Sequence, residues 1–208
     1  MIEIYTDGSF NKDSLINDKW CGGVGLVLRV FDEVAPMELV REEFYALRYT
    51  YSDLLLFSNQ CDGSDTITST LIECIAFKEG LDKVLQHDNG HELIKFYVDD
   101  SLTIKVVNTY INIMLSGGDI AQSECFGFYM QFLSSFLPTD VELLKRITVE
   151  HICAHQDNKY NNMADSLASY KSSPITKVLT CLSHQPEVEE LVDKKQYFLL
   201  FNKYVLNK

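Results

Sequence analysis

Residues 1–10 read MIEIYTDGSF: a β-prone run, MIEIY, that ends in an aspartate and turns at once on Gly8-Ser9. Aspartate is a poor strand former. An acid in that place is ordinarily turn chemistry, an Asx-type hydrogen bond to the backbone that follows. The pattern recurs at 97–101, YVDDS, at the end of the apolar run LIKFYV (93–98). In both stretches a tyrosine stands two residues before an aspartate, so Tyr and Asp project to the same face of their strand. Neighbouring strands that end this way place Asp7 and Asp99 side by side at one edge of a sheet. Two carboxylates that close repel unless a cation neutralises them. The pair points to a metal rather than to a salt bridge.

Working outward, 21–31 (CGGVGLVLRVF) reads as a second strand whose glycines suggest close backbone approach or a bulge. A third strand is expected within 38–51, and 52–66 reads as a loop by composition. TSTLIECIAFKEGLDKVL (68–85) carries apolar residues at helical spacing behind Ser/Thr cap candidates. LIKFYV is a buried strand, 100–115 a helix capped by Asp100 or Ser101, and 123–138 an aromatic-rich helix that stops before Pro138. ITVEHIC (147–153) is the fifth strand, AHQDNKYN (154–161) a polar loop and NNMADSLASYK (161–171) a short helix. The order β-β-β-α-β-α-α-β-α implies an α/β fold, a five-stranded mixed sheet with three antiparallel strands followed by parallel ones, flanked by helices. The domain is expected to span 1–171. Residues 172–208 form an extension whose segment EVEELVDKKQYFLLFNKYVL predicts a helix docked on the domain.

With 208 residues, 46% of them hydrophobic, the chain suits one globular domain with an appendage. No run reaches the 18 or so apolar residues of a membrane span, and MIEIYTDG has neither the basic nor the apolar region of a secretory signal. The six cysteines form no CxxC pair, which predicts a reduced, intracellular chain without a disulfide framework or a cysteine-based zinc site. The net charge of −12 speaks against a nonspecific nucleic-acid binder. It is unevenly spread: residues 1–144 hold 9 Lys/Arg against 23 Asp/Glu (−14), residues 145–208 hold 9 against 7 (+2).

Two more acids stand in helices: Glu73 one turn after ITST, and Asp165 in the short helix after the fifth strand. Either alone is most simply dipole compensation near a helix start. Taken together, YTDGSF, TSTLIECIAF, FYVDDSLTI and HICAHQDNKYNNMADSLA stand in the order and spacing of the type 1 ribonuclease H family, which the chain resembles over about 1–171. The most specific piece is His155, Asn161 and Ala164-Asp165-Ser166-Leu167-Ala168, resembling that family's H-x-G-x-x-x-N-x-x-A-D-x-L-A run. The resemblance implies a ribonuclease H-like fold and a catalytic set of Asp7, Glu73, Asp99 and Asp165 holding two Mg²⁺ ions, with Mn²⁺ able to substitute. In such a site one ion activates water and the other stabilises the leaving 3′ oxygen. It further implies His155 as an aid to proton transfer or product release. Substrate contacts are implied at Gly8, Ser9, Thr68, Ser69, Thr70 and Asn161. The substrate would be an RNA–DNA hybrid, cut in the RNA strand to 5′-phosphate and 3′-hydroxyl ends by a monomer. Matching DDSLTI to the family's D-S-x-x-T-I favours Asp99 over Asp100 as the metal ligand.

Departures from the family pattern are definite. Asp157 replaces the glycine two residues after the histidine, and Asn162 stands where glutamate is usual. Ser69 and Thr70 replace asparagines that read ribose 2′-hydroxyls. The basic, Trp-containing handle is absent: 101–124 offers only Lys105, and the sole tryptophan is Trp20. A partner protein or the lysines of the extension would then supply positive charge. Two rivals remain at this stage, a nuclease of the same superfamily acting on another structured nucleic acid and a non-catalytic binding module. Zinc binding by His151 and His155 would need helical spacing, and 147–153 reads as strand.

Overall fold

The computed structural model describes residues 1–11, 21–32, 35, 38–59, 67–120, 127–153, 158–169 and 179–181. In chain order the elements are β1 (Ile2–Phe10), β2 (Gly22–Phe31), β3 (Leu39–Tyr49), α1 (Tyr51–Asn59), α2 (Ser69–Leu85), β4 (Ile94–Val98), α3 (Ser101–Leu115), α4 (Gly127–Ser134), α5 (Val141–Arg146), β5 (Ile147–His151), α6 (Lys159–Ala168) and β6 (Leu179–Cys181). The sheet order is β5-β4-β1-β2-β3-β6. β1 pairs antiparallel with β2, and β2 with β3, whereas β1–β4 and β4–β5 are parallel. The expected five-stranded mixed sheet is present, and β6 extends it antiparallel to β3.

Strand periodicity divides the side chains between two helical layers. Ile2, Ile4, Leu26 and Leu28 face the larger core, with Leu71, Ile72 and Ile75 of α2 and Val106, Val107 and Tyr110 of α3. Tyr5, Val27, Phe44 and Ala46 face the other way and pack with Met163, Ala164 and Leu167 of α6. The main helices start on side-chain caps. The Thr68 hydroxyl accepts from the Leu71 amide, the Asp100 carboxylate from the Thr103 amide, and the Asn158 side chain from the Tyr160 and Asn161 amides.

The glycines of β2 let α6 lie directly on the strand backbone. A Cβ at Gly25 would sit 1.9 Å from the Ala164 carbonyl oxygen, and one at Gly23 would sit 2.0 Å from that of Ala168. Close approach is therefore the reason for the CGGVG sequence. Arg48 of β3 holds the far end of the same helix by donating to the Leu167 carbonyl at 2.7 Å.

Two helices depart from the sequence expectation. Residues 51–59, within the segment read as loop, form α1. Thr50 and Asp53 cap it reciprocally: the Thr50 amide and hydroxyl donate to the Asp53 carboxylate, and the Asp53 amide donates back to the hydroxyl. The one-and-a-half-turn α5 follows the Asp140 cap. The expected helix in the extension (187–206) lies outside the described residues. No described helix is long and apolar enough to cross a membrane.

The end of the sheet where β1 and β4 begin is tied by charge. Arg146 donates to both Asp88 carboxylate oxygens at 2.7 Å and to the Glu92 carbonyl at 2.9 Å, and the Met1 ammonium meets Glu92 at 3.2 Å. The Arg146 guanidinium holds the Asp88 carboxyl below its usual range. That clasp leaves the opposite ends of β1 and β4 for the acids.

Candidate functional site

β1 and β4 run in parallel with Tyr5 level with Tyr97 and Thr6 with Val98. Their tyrosine rings stack at 4.6 Å and 15° on the α6 face. Two residues further, on that same face, come Asp7 and Asp99. Glu73 reaches them from α2 because Gly8 has no side chain: a Cβ there would lie 2.8 Å from both the Glu73 nitrogen and the Ile72 carbonyl carbon. The Gly8 amide instead donates to the Glu73 carboxylate. Asp7, Glu73 and Asp99 each place a carboxylate oxygen within 4.8 Å of the others, with Asp7 and Glu73 buried and Asp99 half-buried.

Three acids this close are costly as anions. Burial, and then the charges of Asp7, Asp99 and Asp100, push the Glu73 carboxyl well above its ordinary range. Asp99 is raised chiefly by burial, with Asp100 and Asp165 adding to the shift and a hydrogen bond from Asn161 opposing it. Glu73 Oε2 is buried without any hydrogen-bond partner. An orphaned, buried carboxylate oxygen among other acids is the environment a hard divalent cation completes, since such ions take oxygen ligands. The donor set fits Mg²⁺ or Mn²⁺.

The remaining candidates fall in several places. Asp165, on α6, is close enough for its charge to act on Asp99, but it lies outside the tight three-acid group. Asp100 is the α3 cap, bonded at 2.7 Å to the Thr103 amide and hydroxyl. Ser9 and Thr70 are half-buried and Ser69 is exposed beside the cluster-bearing turn of α2. The Thr68 hydroxyl is engaged both as the α2 cap and with the Tyr129 hydroxyl at 2.9 Å. Sequence reasoning missed Tyr129, which lies in the segment read as an aromatic-rich helix; nothing in FGFYMQF distinguishes a tyrosine that leans on another helix's cap. Asn161, expected as a substrate contact, is buried and hydrogen-bonds Asp99. His155 and Asp157 lie outside the described residues. His151 sits exposed on β5, in strand geometry as expected.

No family model and no curated protein matches the sequence. Solved structures do. The RNase H domain of PFV, solved in solution, superposes with a TM-score of 0.50 at 16% identity, covering 81% of this chain and 92% of that one. A foamy viral protease–reverse transcriptase in complex with dsDNA gives a TM-score of 0.50 at 20% identity, over 81% and 91%. The chain has the ribonuclease H fold. At these identities the likeness is one of architecture. Within the ribonuclease H fold of this chain, the three acids occupy the ends of the two central parallel strands and the helix between them, where open α/β sheets place their ligands.

Proposed function

We propose that the protein is a metal-dependent endonuclease that hydrolyses the RNA strand of RNA–DNA hybrids, leaving 5′-phosphate and 3′-hydroxyl ends. The observation that carries this is the buried Asp7–Glu73–Asp99 cluster, with its unpartnered Glu73 oxygen, at the edge of a ribonuclease H sheet. Acids this close repel one another, a cost that a binding module has no reason to keep.

Asp7, Glu73 and Asp99 would hold divalent cations, with Asp165 completing the set from α6. Two such ions supply Lewis acidity for in-line attack of water on a phosphodiester and for departure of the 3′ oxygen. The chain's own residues do the positioning. Gly8 lets α2 come close enough to bring Glu73 to the cluster, and Ser9, Ser69 and Thr70 offer hydroxyls that both donate and accept. His155 would assist proton transfer or product release. The positive charge that a polyanion needs is scarce in 1–144, so affinity for hybrid should be modest unless a basic partner or the lysines of the extension supply it.

A second reading, the same nuclease chemistry on another structured nucleic acid, is favoured by Ser69 and Thr70, whose short hydroxyls make a weaker 2′-hydroxyl reader than asparagine amides. Cleavage of end-labelled RNA–DNA hybrid, double-stranded RNA and double-stranded DNA under one set of conditions separates the two. RNA-strand cutting confined to the hybrid is expected; equal or better cutting of another duplex would replace the first reading with the second.

A further inference from the structure

Asn161 stands on the inner face of α6, one helical turn before Asp165. Only 2% of its surface reaches solvent. Its side chain hydrogen-bonds the Asp99 carboxylate. An ionised carboxylate only accepts, so the donor is the Nδ2 amide. Oδ1 is then left buried with no partner. A buried acceptor without a donor lowers stability, and an apolar side chain of the same size would avoid that loss. An asparagine kept at such a cost needs a reason beyond packing.

We propose that Asn161 is a positioning residue that holds the Asp99 carboxylate in the orientation in which it converges with Asp7 and Glu73. The inference rests on reading that cluster as a metal site. Asp99 follows the last residue of β4 and precedes the Asp100 cap, so it belongs to neither strand nor helix. Asn161 is held much more firmly. Its amide N–H bonds the Asn158 cap at 3.0 Å, and its helix is seated on the β2 backbone. The rigid helix thus lends its geometry to the freer acid, as outer hydrogen bonds orient metal ligands elsewhere.

The test uses the full chain without nucleic acid. Mn²⁺ binding by titration calorimetry and the melting temperature are measured for wild type and Asn161→Leu, and KM and kcat are then measured on hybrid. The expected result is Mn²⁺ affinity about tenfold weaker, kcat reduced at sub-saturating metal, and KM for hybrid unchanged. A raised KM with unchanged Mn²⁺ affinity would make Asn161 a substrate contact. A lowered melting temperature with unchanged Mn²⁺ affinity would make it structural; either overturns the proposal. A wild-type protein that binds no Mn²⁺ removes the metal reading itself, and this inference with it. Should Asn161→Leu fail to fold, the wild-type NMR signal of the Asn161 side-chain amide decides. Slow solvent exchange that quickens in Asp99→Ala is expected, and fast exchange in wild type overturns the proposal.

Discussion

In a Gly25→Ala variant the new Cβ would lie 1.9 Å from the Ala164 carbonyl oxygen and 2.6 Å from the Ala168 nitrogen. Both obstacles are helix backbone, so no side chain can swing aside. Merely to reach 3.0 Å from the oxygen, α6 must recede by about 1.1 Å, the difference between that limit and the 1.9 Å contact. Overpacking of this kind costs ~1–3 kcal/mol, and two backbone obstacles place it near the upper figure. For a chain of this size ~3 kcal/mol lowers the melting temperature by roughly 6–12 °C. The same retreat carries Asp165 and Asn161 away from Asp99 by more than the ~0.5 Å that a preorganised constellation tolerates. Thermal melts of Gly25→Ala, with Mn²⁺ titrations at a temperature where it remains folded, should show both losses. Gly118→Ala is the control, because its Cβ would meet the Ile113 side chain at 3.1 Å in a backbone conformation open to alanine; it should melt within about 2 °C of wild type. A Gly25→Ala protein that melts and binds Mn²⁺ as wild type would refute the seating of α6 on β2.

The raised carboxyls have a pH signature. Glu73 and Asp99 titrate above their unfolded values of 4.5 and 3.8, so the folded state holds their protons more tightly. Their favourable contribution is complete below about pH 4 and is lost as pH rises through the folded values. In EDTA, the melting temperature of Glu73→Gln minus that of wild type should therefore grow from pH 4 to pH 8, and Mg²⁺ should narrow the gap at pH 8; a pH-independent difference would contradict this. At the far end of the sheet, Arg146→Ala removes a bidentate ion pair to a buried Asp88. It should cost ~2 kcal/mol, about 4–8 °C, and leave Mn²⁺ affinity unchanged; a loss of metal binding would mean the two ends are coupled.

How much of this was legible depended on how local its cause was. The strand-end acids could be read because period-two alternation ties Tyr5 to Asp7 and Tyr97 to Asp99, and the rings do stack. Pairing β1 with β4 needed only that both strands be central. Helix α1 was obscured by LLLF, a consecutive apolar run with no period: Leu54 is buried while Leu56 is 66% exposed. Its readable sign was the Thr50–Asp53 capping pair rather than its hydrophobicity. Helix α5 buries only Leu144, too little to leave a pattern. β6 owes its strand state to pairing with β3, a long-range cause that three residues cannot announce. The motif gives Asn161 its place in the chain but not its burial, which follows from the seating of α6 on β2 at Gly25, more than a hundred residues away.

The most direct test of the central claim is cleavage of a strand-labelled RNA–DNA hybrid in Mg²⁺ or Mn²⁺ by wild type, Asp99→Asn and Asp100→Asn, with EDTA as control. The account predicts cutting in the RNA strand by wild type, none in EDTA or by Asp99→Asn, and cutting retained by Asp100→Asn, which loses only part of a helix cap worth ~1 kcal/mol. Protein that binds hybrid and cuts neither strand with either metal, or activity that survives Asp99→Asn and dies with Asp100→Asn, would contradict it.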